Sequence, residues 1–272
     1  MFPISTDRLN SLMAEMGIMD IATATIRQIC ALAERIECEA GENMVHLEMG
    51  NPGLEASRVG IEAECAVLQA GLPNKYPNIA GLPALKEAGS RFLKAFANVD
   101  IPARCIVPTV GSMQGSFTLM LLLRQRLKGK DSMLFINPGF PAQRNQAKVL
   151  GLKEVSFDLY DYRGERLEAK LEEILSKGNI TGILYSNPNN PAWTNFTEQE
   201  LEIIGRMASR YDAIVLEDHA YFGMDFRCNY GVPDQPPFMP TVARYTDNYV
   251  MLLSASKIFS YAGQRIALVA IS

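Results

Sequence analysis

Residues 249–257 have the sequence YVMLLSASK, a continuous run of apolar and β-branched side chains that ends in small polar residues and a lysine. The segments AIVLED at 213–218 and GILYSN at 182–187 have the same form. Such runs are typical of strands that are covered on both faces, as in a parallel sheet. These segments therefore predict a sheet buried between two layers of helices.

Further strand and helix patterns alternate on either side of these segments. We expect strands at Cys105–Thr109, Met133–Asn137, Glu154–Asp158, Gly182–Ser186, Ala213–Glu217, Tyr249–Ser254 and Ile266–Ile271. Helices are predicted at Ser112–Leu127, at Pro83–Phe96, and after Thr197, which forms a capping box with Glu200. The alternation predicts an α/β protein with three layers, α/β/α, around a mostly parallel seven-stranded sheet.

The residues before the sheet form a separate pattern. The segment Asp20–Ile36 places Ile26, Ile29 and Ala33 on one face, which predicts an amphipathic helix. We expect residues 1–47 to form a smaller N-terminal element. Residues 48–272 should form the major, ligand-binding domain.

The composition excludes several classes of function. The 272 residues include 26 Lys and Arg against 30 Asp and Glu, so the net charge of −4 argues against a nucleic-acid partner. Apolar stretches such as Leu119–Leu123 are too short to cross a bilayer, which predicts no membrane contact. Two histidines make a metal site improbable. The five cysteines form no CxxC pair, and Asp7 and Arg8 interrupt any secretion signal, so we expect free thiols in the cytoplasm.

Polar and aromatic residues follow most of the predicted strands. Ligands of an open α/β sheet bind beyond the carboxyl ends of its strands. These positions hold Gly111, Ser112, Phe140, Asn190, Asp218, Tyr221, Ser254, Lys257 and Arg265. Each residue is ordinary alone, and their shared placement is what indicates a site.

The set suits a flat, phosphorylated heterocycle that carries an aldehyde. Backbone N–H groups at the helix start beside Ser112 can hold a phosphate, to which Ser254 adds a hydroxyl and Arg265 a bidentate cation. These groups together predict a phosphate-binding position at one end of the site. A simple helix cap at Gly111, and an Arg265 that pairs with a surface acid, are the alternative explanations.

The remaining residues suit the ring and its aldehyde. Phe140 can stack on the ring, and Asp218 can pair with a protonated ring nitrogen, which makes the ring an electron sink. Asn190 and Tyr221 can hydrogen-bond a ring oxygen, and Lys257 can form a Schiff base with the aldehyde. The heterocycle with these features is pyridoxal 5′-phosphate. Phe140 could instead be part of the core, and Asp218 could only cap a strand end.

The segment SASKIFSYAGQRIA at 254–267 resembles the lysine signature of the fold-type I, pyridoxal-phosphate-dependent class I/II aminotransferases. The resemblance extends from about Glu48 to Ser272. Tyr261 stands where an aliphatic residue is more usual. Asn187–Pro191 is similar to the NPNNP turn of the family, although Ala192 and Trp193 replace its usual Thr-Gly.

The resemblance implies a role for each residue of the site. It implies that pyridoxal phosphate is bound by Gly111, Ser112, Met113, Phe140, Asn190, Asp218, Tyr221, Ser254, Ser256, Lys257 and Arg265, with Lys257, Asp218 and Tyr221 catalytic. Tyr76, in the segment Lys75-Tyr76-Pro77, would reach the cofactor phosphate of a neighbouring subunit, which implies a homodimer. Gly50 would lie beside the substrate carboxylate.

The implied activity is transfer of an amino group between an amino acid and a 2-oxo acid through an internal aldimine at Lys257. A lyase or decarboxylase reaction on the same scaffold is an alternative. Family members continue past the position of Ser272 into a C-terminal small domain, so we expect a truncated chain. It could bind the cofactor without full activity. A serine acyltransferase with Ser254-x-x-Lys257 is a weaker rival, because its Tyr185-x-Asn187 precedes this motif and no K-T-G follows it.

Overall fold

The computed structural model describes residues 2–272. The chain divides into two compact units, one that ends at Asn51 and one that spans Pro52–Ser272. The first unit contains α1 (Thr6–Glu15) and α2 (Ile26–Ala40). Its small core consists of Leu12, Ile18, Leu32 and Ile36.

The predicted bounds of α2 were wrong at both ends. The helix begins at Ile26, because Thr25 and Gln28 form a capping box in which each side chain accepts a hydrogen bond from the backbone N–H of the other. Asp20 instead caps a short 3₁₀ turn, where it accepts a hydrogen bond from Ala22 N at 2.9 Å. The helix continues to Ala40 because the left-handed Gly41 is the first residue that can end it.

The second unit confirms the predicted fold class. Its strands are β1 (Ile106–Val110), β2 (Ser132–Asn137), β3 (Lys153–Asp158), β4 (Ile180–Ser186), β5 (Ile214–His219), β6 (Tyr249–Ser254) and β7 (Ile266–Ile271). Its helices are α3 (Arg58–Gln69), α4 (Pro83–Ala97), α5 (Gly111–Arg126), α6 (Pro141–Val149), α7 (Glu165–Leu175), α8 (Glu198–Arg210) and α9 (Ala255–Ile258). The strand order is β1-β7-β6-β5-β4-β2-β3, and only β7 runs antiparallel to its neighbours.

Two apolar clusters cover the two faces of the sheet. Val215 of β5 belongs to the cluster that includes residues of α4, α7 and α8. Leu216, the next residue, belongs to the cluster that includes residues of α5 and α6. Successive side chains of a strand point to opposite faces, so a strand buried on both sides has apolar residues at consecutive positions. This requirement explains the continuous apolar runs from which the sheet was predicted.

The glycine at position 205 allows α8 to approach the segment at Tyr245 closely. A methyl group on Gly205 would lie 2.9 Å from Tyr245 Cβ and 3.2 Å from its backbone carbonyl. Backbone atoms cannot rotate away, so we expect Gly205→Ala to lower the free energy of unfolding by about 1–3 kcal/mol. Gly60→Ala in α3 is the matched control, since its methyl group meets only ordinary contacts of 3.7 Å or more. Urea denaturation measures both, and equal stability of the two variants would contradict the close approach.

Candidate functional site

The strand ends that carry the predicted site residues meet at one edge of the sheet. Asp218 at the end of β5 pairs with Ser186 at the end of β4. Ser254 at the end of β6 pairs with Ala267 at the start of the antiparallel β7. Strand β1 pairs with β7 and ends directly before Gly111. The topology therefore brings segments that are more than 140 residues apart in sequence to a common edge.

The carboxylate of Asp218 is buried at this edge. Its Oδ2 accepts a hydrogen bond from Gln143 Nε2 at 2.7 Å, and its Oδ1 accepts one from the backbone N–H of Ala220 at 3.0 Å. Burial raises the pKa of Asp218, and the two hydrogen bonds oppose this effect. The pKa remains raised, so the two donors only partly offset the cost of removing the charge from water.

Gln143 is a residue of this site that the sequence analysis missed. It is 2% exposed and lies in the first turn of α6, one helical turn before the buried Ala147. A polar residue on the buried face of an amphipathic helix needs a partner, because an unsatisfied buried amide is costly. That pattern, Gln143 and Ala147 at a spacing of four, is the signal by which it could have been found.

A second buried carboxylate lies next to Asp218 along β5. Glu217 is fully buried and accepts hydrogen bonds from Tyr185 Oη at 3.1 Å, from Thr241 Oγ1 and from Val242 N. His219 Nε2 lies 3.0 Å from a Glu217 oxygen, but the ring is not oriented to form a hydrogen bond. The hydroxyl of Tyr185 is thus used by the buried Glu217, and nothing in these contacts favours the acyltransferase alternative.

The turn after β4 uses two of its asparagines to fix its own backbone. Asn187 Oδ1 accepts from Phe196 N at 3.2 Å, and Asn187 Nδ2 donates to Pro240 O at 3.3 Å. Asn189 Nδ2 donates to Pro138 O at 2.7 Å, at the end of β2. These bonds occupy both side chains and leave Asn190 as the asparagine of the turn that faces the site.

Asn190 and Tyr221, two residues of the predicted site, form a hydrogen bond with each other. Asn190 Nδ2 donates to Tyr221 Oη at 3.2 Å. Because the phenol oxygen accepts this bond, its own proton remains available for a ligand. Burial raises the pKa of Tyr221, and the nearby Asp218 raises it further. The phenol is therefore a proton donor at neutral pH.

Lys257 lies on the short helix α9, which begins beyond β6. Ser254, 2% exposed, caps this helix and accepts a hydrogen bond from Ser256 N at 3.2 Å. Partial burial lowers the pKa of Lys257. A lowered pKa increases the fraction of neutral amine, which is the form that attacks a carbonyl group.

Gly111 and Arg265 form a compact corner at the start of α5. Gly111 has φ of +71°, and a methyl group on it would lie 2.9 Å from Arg265 Cζ, so the guanidinium occupies the space beside the glycine. Arg265 Nη1 donates to Ala262 O at 2.9 Å. The salt bridges found within residues 2–272 do not include Arg265, so the alternative in which it pairs with a surface acid finds no support. Ser112 and Met113 follow in the first turn of α5, whose N–H groups have no helical acceptor.

The contacts described above do not test the roles predicted for three further residues. Phe140 is half-buried at the start of α6, and the ring contacts found among residues 2–272 do not include it. The side chain of Tyr76 is fully exposed. Gly50 belongs to the first compact unit. The stacking role of Phe140, the intersubunit role of Tyr76 and the substrate role of Gly50 stay predictions.

The part of the chain that the structure describes, residues 2–272, contains no group of three or more His, Cys, Asp or Glu side chains that could hold a metal ion. Over the same residues, no helix has the length and apolar character needed to span a membrane. All five cysteines are free thiols.

Comparison with known proteins identifies the family. The model of the aminotransferase class I and II family matches residues 42–272, and the chain therefore belongs to this family. An aspartate aminotransferase of Pyrococcus horikoshii is 25% identical over 253 residues, which cover 93% of this chain and 60% of that protein. The glutamate-pyruvate aminotransferase AlaC of Escherichia coli is 29% identical over 232 residues and is covered to 53%.

The fold agrees with solved structures. The aspartate aminotransferase from Thermus thermophilus with maleate superposes with a TM-score of 0.74 at 20% identity, over 91% of this chain and 61% of that chain. The chain thus spans about 60% of the length of such relatives.

Members of this family use pyridoxal 5′-phosphate, and the residues of the site fit this cofactor. The corner between Gly111 and Arg265 would be filled by any larger side chain at position 111. The buried Asp218 offers a carboxylate that burial leaves in need of a cationic partner. Both features match the two ends of the cofactor, its phosphate and its ring nitrogen.

The Gly111 corner gives a first test. We expect Gly111→Ala to displace the Arg265 guanidinium and to weaken the binding of pyridoxal phosphate by about tenfold or more, since a charge-assisted phosphate contact is lost. Gly151→Ala is the matched control, because Gly151 has a similar φ of +70° but open space around it. Titration by visible absorbance measures both. Equal weakening in the two variants would assign the effect to backbone strain alone.

The raised pKa of Asp218 predicts a pH dependence of stability. The native state binds this proton more tightly than the unfolded state, so the contribution of Asp218 is present below its unfolded-state pKa and is lost as the pH rises through its native pKa. Relative to Asp218→Asn, the cofactor-free wild type should lose stability as the pH rises above about 4, the ordinary pKa of an aspartate in an unfolded chain. Urea denaturation at several pH values measures the difference.

A second variant tests the cause of this effect. Gln143→Leu removes the donor that lowers the pKa of Asp218, so the loss of stability should extend to higher pH. A stability difference between wild type and Asp218→Asn that does not change with pH would contradict the assignment.

Proposed function

We propose that the protein of which this chain is part transfers an amino group between an amino acid and a 2-oxo acid, with pyridoxal phosphate held by Lys257. The observation that carries the proposal is the buried Asp218 carboxylate at the edge of the sheet where Lys257, Tyr221 and the Gly111–Arg265 corner also lie. The family match supports the same reaction class.

The cofactor, when bound, supplies an aldehyde that bonds to amines and a ring that accepts the electron pair left when an α-proton is removed. Lys257 would hold the cofactor through Nζ and, once displaced by the substrate amine, would accept the α-proton at the same atom. Its lowered pKa suits both roles, because each requires the neutral amine.

The other side chains bind and orient. The Asp218 carboxylate would keep a proton on the ring nitrogen, while Gln143 keeps the carboxylate in place. Tyr221 and Asn190 would donate to the ring oxygen, and the half-buried Phe140 would stack on the ring. The N–H groups at Gly111, Ser112 and Met113, with Ser254, Ser256 and Arg265, would hold the phosphate.

The remaining assignments concern assembly and location. We infer a homodimer in which Tyr76, fully exposed in this chain, reaches the phosphate site of the partner. Residues 48–272 would form the cofactor-binding major domain, with Gly50 beside the substrate carboxylate, and residues 1–47 would be part of a small domain or dimer arm. The five free cysteines support a cytoplasmic location.

The covalent link to Lys257 tests the proposal directly. Borohydride treatment of the chain mixed with pyridoxal phosphate should fix the cofactor on the peptide that contains Lys257, as detected by peptide mass mapping. Lys257→Ala should lose this adduct, whereas the control Lys148→Ala, which alters an exposed lysine of α6, should keep it. An adduct spread over exposed lysines, or absent from the Lys257 peptide, would refute the proposal.

The reaction type needs a separate assay on the whole protein. Incubation of an amino acid with a 2-oxo acid should produce the exchanged pair, detected by mass spectrometry. Release of carbon dioxide or of a side-chain fragment in place of exchange would show that the scaffold performs decarboxylation or elimination. A chain that carries the adduct but exchanges no amino group would be a cofactor-binding module.

A further inference from the structure

Trp193 has a backbone conformation that an L-residue adopts at a cost. Its φ is +54°, in the left-handed region, and its N–H donates to Asn189 O at 3.0 Å within the turn after β4. Left-handed backbone is unfavourable for a bulky side chain, and glycine adopts it freely. A tryptophan at this position therefore needs a compensating role for its side chain.

The indole of Trp193 contacts two other aromatic rings, one in the candidate site and one on the exposed Phe226. Its centroid lies 5.6 Å from the ring of Tyr221 in an edge-to-face arrangement with an interplanar angle of 72°. It also stacks on Phe226, with a centroid distance of 5.9 Å and an interplanar angle of 21°. Edge-to-face contacts of this type are favourable because the ring edge is positive and the ring face negative.

The indole also lines an open cleft of about 440 Å³. Trp193 and Phe226 line this cleft, whereas Tyr221 does not. The phenol of Tyr221 is half-buried and is held at its oxygen by Asn190 Nδ2. Removal of the indole would leave Tyr221 with this hydrogen bond but without its edge-to-face contact.

We infer that Trp193 is a positioning residue, whose indole fixes the ring of Tyr221. Among the ring contacts of the described residues, the one to Tyr221 comes from Trp193 and not from the segment around Lys257. The effect on the cofactor rests on the proposed function, but the effect on Tyr221 does not. The two can therefore be tested apart.

The first experiment observes Tyr221 in the cofactor-free chain. Tyrosine labelled with ¹³C at Cζ gives one NMR signal per residue, and Tyr221→Phe identifies the signal of interest. We expect Trp193→Gly to shift and broaden this signal, and Trp193→Phe, which keeps an aromatic ring, to restore most of the wild-type position. The melting temperature of Trp193→Gly should stay within about 3 °C of wild type, because relief of the backbone offsets the lost contacts.

A matched control separates the indole from the backbone. Asp234 is also left-handed, with φ of +59°, and is exposed. Asp234→Gly relieves a comparable backbone conformation and should leave the Tyr221 signal unchanged. If Trp193→Gly fails to fold, Trp193→Leu replaces it, and it should alter the signal where Trp193→Phe does not. An unchanged Tyr221 signal in Trp193→Gly, equal effects of Leu and Phe, or an equal effect of Asp234→Gly would overturn the inference.

The second experiment measures the cofactor. We expect Trp193→Gly to bind pyridoxal phosphate about two- to tenfold more weakly and to shift the absorption maximum of the bound form, with rescue by Trp193→Phe. Trp193 is the only tryptophan of the chain, so quenching of its fluorescence on titration with pyridoxal phosphate reports the same site in the wild type. A changed Tyr221 signal without any binding of pyridoxal phosphate would leave the positioning role intact and refute the proposed function instead.

Discussion

The balance between burial and hydrogen bonding at Asp218 constrains the rest of the site. A carboxylate without water can stay charged only if donors replace the lost hydration. Gln143 and the backbone of Ala220 supply two donors, and yet the pKa remains raised. The remaining electrostatic demand favours a cationic ligand at this position, which is what a protonated pyridine ring provides. In the proposed function, this incomplete solvation of one charge prepares the site for the cofactor.

The neighbouring Glu217 is a buried carboxylate whose hydrogen bonds all come from the core. It points to the opposite face of the sheet and receives donors from Tyr185, Thr241 and Val242. Two adjacent acids of β5 therefore have different fates because the alternation of the strand sends them to different faces. Glu217 has its hydrogen-bond donors within the core, whereas Asp218 has fewer donors and is the carboxylate that we propose to pair with the cofactor.

Two residues with left-handed backbone have opposite effects on the space at the site. Gly111 leaves room for the guanidinium of Arg265 by having no side chain, which creates the anion corner. Trp193 occupies a conformation suited to glycine and fills the space beside Tyr221 with an indole. In both places the backbone conformation sets the amount of space at the site, and the residue type decides whether that space is open to a ligand or closed.

The sequence by itself determined the fold class, most element positions and the list of candidate residues. Continuous apolar runs have one explanation in a sheet covered on both faces, and Thr197 with Glu200 specifies a helix start locally. The start of α2 was missed because the local capping box at Thr25 and Gln28 was overlooked. Only the tertiary structure decided which asparagine of the 187–191 turn faces the site, that Gln143 donates to Asp218, and that Trp193 touches Tyr221. These contacts join segments far apart in the chain, and no local pattern encodes them, since they arise when burial forces each polar group to find a partner.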